Sequence, residues 1–201
     1  MKAKGFTLVE IAIVLVIIGL LLGGILKGQE MITQAKIKNV IADMSGVSAA
    51  MYGYQDRYRS LPGDDKNANT RWTATAGDGD GIVEGLWTAT TGEAINFWDH
   101  LRRAGFVSGK MGVQTGDGAA TPAGVLSDGG TPATSFSSLI LCTAGLPDKI
   151  AGSVDSQMDD GLGKKGSVRG WKASGNPAAL NATAQDYTED GTSTYVICRQ
   201  M

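Results

Sequence analysis

The sequence predicts an α+β fold: a long N-terminal helix with a membrane-spanning first half, packed against a C-terminal antiparallel β-sheet domain with glycine-rich loops. Three observations carry that expectation. Residues 6–26 hold 15 Phe, Leu, Ile or Val among 21 positions, and Glu10 is the only charge. The apolar pattern then changes to three- and four-residue steps and meets no proline before Pro62. Beyond Leu61 the composition shifts, with 22 of the 29 glycines in the last 141 residues, so that turns and loops should be dense there.

As a helix, the 21 residues of the apolar run span about 31 Å, which matches a bilayer hydrocarbon core. Its fifteen large apolar residues contribute roughly −4 to −9 kcal/mol to insertion, against about 2.5–3.5 kcal/mol at most for one carboxylate near an end. Insertion wins. Lys2 and Lys4 precede the run, so the positive-inside bias keeps the N-terminus cytoplasmic and sends the chain after Lys27 outward. A cleaved secretory signal fits poorly: the apolar stretch is too long, and Leu26-Lys27-Gly28-Gln29 is no small-x-small site. A plain uncleaved anchor explains the hydrophobicity and gives Glu10 nothing to do.

After Lys27 the pattern is one-faced. Ile37, Val40, Ile41, Met44, Val47, Met51, Tyr54 and Tyr58 recur at helical spacing, with Lys36, Lys38, Asp43 and Arg57 between them. The spacing predicts that the same helix continues as an amphipathic shaft over residues 27–60. Leu61-Pro62-Gly63-Asp64-Asp65 stops it.

Residues 61–201 read as one globular α+β domain. Residues 93–106 form a short helix ended by Gly105, with Ile95, Phe97, Trp98, Leu101 and Ala104 on its packed side. His100, the only histidine, sits in that helix with no nucleophile signature beside it and reads as a helix-surface or capping residue. Residues 147–158 form a second short helix, with Ile150, Val154 and Met158 at four-residue steps. Residues 138–143 and 193–199 are strands, rich in β-branched or aromatic side chains. A sheet built on them would cover the apolar face of the helical shaft.

Two acidic groups remain. Asp78, Asp80 and Glu84 lie on one Gly-Asp turn, a spacing that can wrap calcium. Ile82 stands where an EF-hand loop has its third ligand, and plain solvated turns are the competing reading. Asp155, Asp159 and Asp160 form the second group, beside Gly161. Acids a few residues apart on one turn are not the opposed pair a glycosidase needs. No P-loop, CxxC pair, GxSxG elbow or second histidine occurs, so no catalytic residue is assigned and no enzyme is expected. The formal net charge is −2, and residues 61–201 carry 16 acids against 11 Lys and Arg. No nucleic-acid partner is indicated.

Lys4-Gly5-Phe6-Thr7-Leu8-Val9-Glu10 resembles the processing motif of type IV prepilins and of the pseudopilins of type II secretion systems. The resemblance implies a prepilin peptidase that cuts after Gly5 and methylates the new N-terminus at Phe6. Residues 1–5 would then be the leader, 6–26 the transmembrane and assembly helix, 27–60 its amphipathic continuation and 61–201 the exported domain. Glu10 acquires a role in assembly: the α-ammonium made at Phe6 enters low dielectric when helices bundle, and a neighbour's Glu10 would pair with it. The implied partners are the peptidase, the inner membrane before assembly, and copies of the chain or other pilins in a filament. The destination is a pilus on the cell surface or a periplasmic pseudopilus. In an exported domain Cys142 and Cys198 are expected to be bridged, as pilins often are near their C-termini. Some pseudopilins hold calcium in a late loop, which makes calcium the one cofactor to consider here. A type IV pilus-like subunit is the first expectation and a secretion pseudopilin the second. The third is an anchored binding domain that never polymerises.

Overall fold

The computed structural model describes residues 7–85, 91–108, 123–126, 136, 139–172 and 184–201. The chain divides into two compact units, residues 1–39 and residues 40–201. Helix α1, Leu8–Tyr58, contributes to both; the expected start at Phe6 lies outside the described residues.

In the first unit every position from Thr7 to Lys27 is exposed. Leu8, Leu15, Leu20 and Leu26 are each more than 60 % accessible. A face of this kind on all sides of a helix finds its partners in lipid or in other helices. α1 is long and apolar enough to cross a membrane by length and composition.

In the second unit the helical stripe read from the sequence is present. Met44, Met51 and Tyr54 are buried, and Val40, Val47 and Tyr58 are partly buried beside them. The helix stops before Pro62, whose ring disfavours a helical residue ahead of it, and the chain leaves through Arg59 at φ +56°. A short helix α2, Ala68–Trp72, follows, then α3, Glu93–Arg103. Phe97, Trp98 and Leu101 of α3 join Met44, Met51, Tyr54, Val83 and Leu141 in one core. Ile95 and Ala104, expected on the packed side, are half-buried.

Among the described residues the strands are β1 (Ala123–Leu126), β2 (Ile140–Pro147), β3 (Val168–Lys172) and β4 (Thr194–Gln200), ordered β1-β2-β4-β3 and antiparallel throughout. Helix α4, Asp148–Met158, leaves directly from β2. Both expected strands and both expected short helices are present within a few residues of their bounds. β1, β3 and α2 are additions. The sheet is covered on two faces. Leu141 faces the α1–α3 core, while Ile140, Cys142, Val196, Cys198 and Trp171 form a second cluster with Phe136 and Ala184. Two-sided burial explains why β2 and β4 read as near-continuous apolar runs. A register shift between Thr143 and Leu146 bulges β2, at Gly145 with φ +71°. The outer edge of β3 is closed, since Gly170 N–H donates to Gly163 O at 2.9 Å and Gln185 N–H donates to Gly170 O at 2.8 Å.

Candidate functional site

The N-terminal end of α1 is built by two side chains. Thr7 is the residue before the first helical position, Leu8. Its backbone N–H donates to Glu10 Oε2 at 2.8 Å, its hydroxyl donates to the same oxygen at 2.7 Å, and Glu10 N–H donates back to Thr7 Oγ1 at 3.3 Å. This is a capping box: the threonine and the acid three residues on satisfy two N–H groups that the helix cannot pair internally. Both bonds to Glu10 fall on Oε2, and among the described residues nothing bonds Oε1. Sequence reasoning fixed on Glu10 and passed over Thr7, although Thr-x-x-Glu before an apolar run is the signal that finds it. Gly5 and Phe6 lie outside the described residues.

At the far end of the apolar stretch Lys27 Nζ meets Glu30 Oε2 at 2.8 Å, on side chains 70 % and 59 % exposed. A pair so open to water contributes little. It marks where the apolar character ends.

Residues 1–26 match the family model described as the prokaryotic N-terminal methylation motif. The chain carries a type IV pilin-like, prepilin-type signal. No curated protein and no solved structure matches the chain. The match covers Lys4, Gly5, Phe6 and Glu10 together with the whole apolar run, and α1 is described from Leu8 onward.

In the second unit the structure gathers acids differently from the spacing alone. Asp64, Asp78 and Asp80 bring carboxylate oxygens within 4.8 Å of one another. Glu84 is not in that group: it is exposed, and its backbone N–H donates to Glu93 Oε2 at 3.1 Å. Asp64, only 3 % exposed, is the centre the sequence reading missed. Its Oδ1 accepts N–H bonds from Gly79 at 2.6 Å and Asp80 at 3.2 Å, and its Oδ2 accepts one from Gly81 at 2.8 Å. The glycine-rich loop is wound around a buried carboxylate. Gly77 lets the chain pass against the Asp64 backbone, where a Cβ would overlap it. Asp78 and Asp80 each accept the N–H two residues ahead, from Asp80 and Ile82, which is the local turn chemistry of aspartate. These oxygens are the donor type calcium takes, and at present they hold backbone. Glu93 closes the cluster by accepting from Asp78 N–H and Glu84 N–H. Burial pushes its carboxyl above the usual range, with the Asp64 and Asp78 charges adding to the rise and the two N–H bonds opposing it.

The group Asp155, Asp159 and Asp160 is also brought together. Asp155 is fully buried, accepts the Tyr187 hydroxyl at 2.6 Å and Gly161 N–H at 3.1 Å, and is pushed up chiefly by burial. Asp159 Oδ2 accepts Ser167 N–H and Val168 N–H, tying the end of α4 to the start of β3.

Cys142 and Cys198 form the expected disulfide, 56 residues apart in sequence and directly opposite each other on β2 and β4. His100 is a correction. It is not a surface or capping residue but fully buried, accepting Gly63 N–H on Nδ1 at 2.8 Å and placing Nε2 2.8 Å from Thr75 O. Sequence reasoning put it on the polar side of α3, unaware that residues 63–75 lie over that side.

Proposed function

We propose that the chain is the structural subunit of a type IV pilus-like filament, made as a prepilin, cut after Gly5 and N-methylated at Phe6. It then polymerises through the N-terminal helix. The observation that carries this reading is the methylation-motif match over residues 1–26, set on a helix whose apolar surface is exposed on every side from Leu8 to Leu26. Such a surface is held in the inner membrane before assembly and against neighbouring helices afterwards.

Cutting on the cytoplasmic side leaves the apolar helix on the mature subunit and creates an ammonium at Phe6. An unpaired ammonium in a bundle of apolar helices costs several kcal/mol. Glu10 of an adjoining subunit offers Oε1 to it while Oε2 continues to cap its own helix through Thr7. One carboxylate thereby fixes the helix start and the axial register between subunits. The disulfide and the large glycine-rich domain favour a pilus over the second reading, a type II secretion pseudopilin.

Mass spectrometry of the mature N-terminus tests the processing: a methylated Phe6 is expected, and an intact Met1 or a distant cut removes the filament reading. Imaging separates the two assemblies. Surface fibres containing the chain support the pilus, whereas periplasmic confinement with a secretion defect on deletion supports the pseudopilus.

A further inference from the structure

The second unit holds one histidine in a place where the protonated ring does not fit. His100 is fully buried. Its Nδ1 accepts the buried Gly63 N–H, and Thr75 O lies 2.8 Å from Nε2. A carbonyl oxygen can only accept, so Nε2 carries the proton and the ring is the neutral tautomer whose Nδ1 takes Gly63 N–H. Both nitrogens are therefore used, and each holds one arm of the same segment. Carboxylates tie that segment together. Asp64, next to Gly63, gathers the N–H groups of Gly79, Asp80 and Gly81, and Glu93 on α3 takes those of Asp78 and Glu84.

We propose that His100 is an acid-operated latch on residues 63–85: the neutral imidazole holds the segment closed, and a proton added at Nδ1 releases it. Protonation takes the lone pair that receives Gly63 N–H, and two N–H groups then face each other in a buried place. Both lose their acceptor, so the cation is accommodated when the segment lifts and water reaches the ring. The groups around the ring agree. From α1 the Tyr54 ring stacks on it with centroids 6.3 Å apart. From α2 Arg71 adds positive charge, and from α3 Arg103 does the same; Asp99 favours the cation but is held by Arg103 at 2.8 Å. Burial, the largest influence, holds the imidazole below its ordinary range against the opposing Thr75 hydrogen bond.

A histidine whose value is lowered in the closed state stabilises that state above its ordinary value of about 6.5, and the stabilisation is lost as pH falls from there to the lowered value. Within that window opening rises by up to about tenfold per pH unit.

Amide hydrogen exchange on the full chain in detergent micelles, read as protection factors from pH 7.5 to 4.5, tests the latch beside imidazole NMR of the sole histidine. At neutral pH the ring is expected to carry its proton on Nε2. Protection at Gly63, Gly79 and Gly81 should fall from about pH 6.5 downward and level off where the ring itself titrates, while β2 and β4 stay protected. His100→Asn, whose side-chain oxygen can still accept Gly63 N–H without titrating, should show no such step. The latch is overturned if protection stays flat from about pH 6.5 down through the ring's own titration, if the imidazole protonates with protection intact, if β4 opens at the same pH, or if His100→Asn keeps the step.

Discussion

Replacing Glu10 by glutamine separates the helix cap from the charge pairing proposed for its carboxylate. The capping box with Thr7 rests on one oxygen accepting the threonine N–H and hydroxyl, and glutamine supplies such an oxygen. The start of α1 should therefore survive. Membrane insertion should hold or improve, because a charge worth about 2.5–3.5 kcal/mol against insertion at the bilayer centre, less near the interface, is gone. Assembly should not survive. Removing one partner of a buried ion pair costs about 3–5 kcal/mol, since the remaining charge is stranded. At 1.4 kcal/mol per decade the constant for adding a subunit then falls by about 10² to 10⁴. Filaments sheared from cells, quantified against chain in the membrane fraction, should drop to background with membrane levels unchanged. Glu10→Val removes the box as well and frays the first turn at a further cost of about 1 kcal/mol, so it should assemble no better. Normal filament yield from Glu10→Gln would refute the charge pairing. If glutamine assembled and valine did not, the cap rather than the charge would be what assembly needs.

Reducing Cys142–Cys198, whose 56-residue separation gives about 4 kcal/mol in the chain-entropy model, should lower the Tm of the full chain in detergent by roughly 10 °C; an unchanged Tm would show that the bridge adds nothing. Asp64→Ala leaves the N–H groups of Gly79, Asp80 and Gly81 without their acceptor and should cost about 3 kcal/mol or more, with Asp64→Asn falling between it and the wild type in chemical denaturation. Phe97→Ala, at a fully buried position in the α1–α3 core, should cost about 3–5 kcal/mol, and a loss below 1 kcal/mol in the same assay would show that the core collapses around the gap.

The parts legible in the sequence were those written in periodicity. α1 announced itself by an apolar run whose only charge is Glu10 and then by Met44, Val47, Met51, Tyr54 and Tyr58 at helical steps, with Pro62 as the stop. β2 and β4 stood out as short β-branched runs, and α3 and α4 as short amphipathic ones. β3 did not, because its five residues, Val-Arg-Gly-Trp-Lys, contain a central glycine and no clean alternation. α2 is one turn and a half held by its setting rather than by propensity. Its Arg71 pairs with buried Asp65, which also takes the Tyr54 hydroxyl at 2.6 Å. His100 and Asp64 were misjudged or missed for one reason. Their partners are backbone groups of a loop, and a backbone N–H leaves no residue-type signal at the other end of the bond. Glu10 was read from its isolation in oil, whereas Thr7 was hidden by looking only for charge.

The same point governs how the second unit should respond to acid. A glycine-rich loop has few side chains to bury, and each glycine loses much backbone entropy on ordering. Its order must then come from polar groups that collect several N–H donors each. Asp64 collects three. Asp190 takes Thr192 N–H and Ser193 N–H together with both of their hydroxyls, led by the Ser193 side chain, and these bonds hold its carboxyl far below the usual range. A carboxylate so depressed stabilises the fold above its unfolded value of about 3.9, and that contribution is lost as pH falls below it. Histidine acts earlier, because the contribution of His100 fades from about 6.5 downward. Acid should therefore dismantle the unit in two stages: residues 63–85 loosen first, from about pH 6.5 downward, and the turn around Asp190 follows only below about pH 3.9. The disulfide-linked β2–β4 pair has no titrating group in its bridge and should hold through the first stage. Residue-resolved exchange that showed one cooperative loss, with Gly63 and Thr192 opening at the same pH, would refute this division of labour.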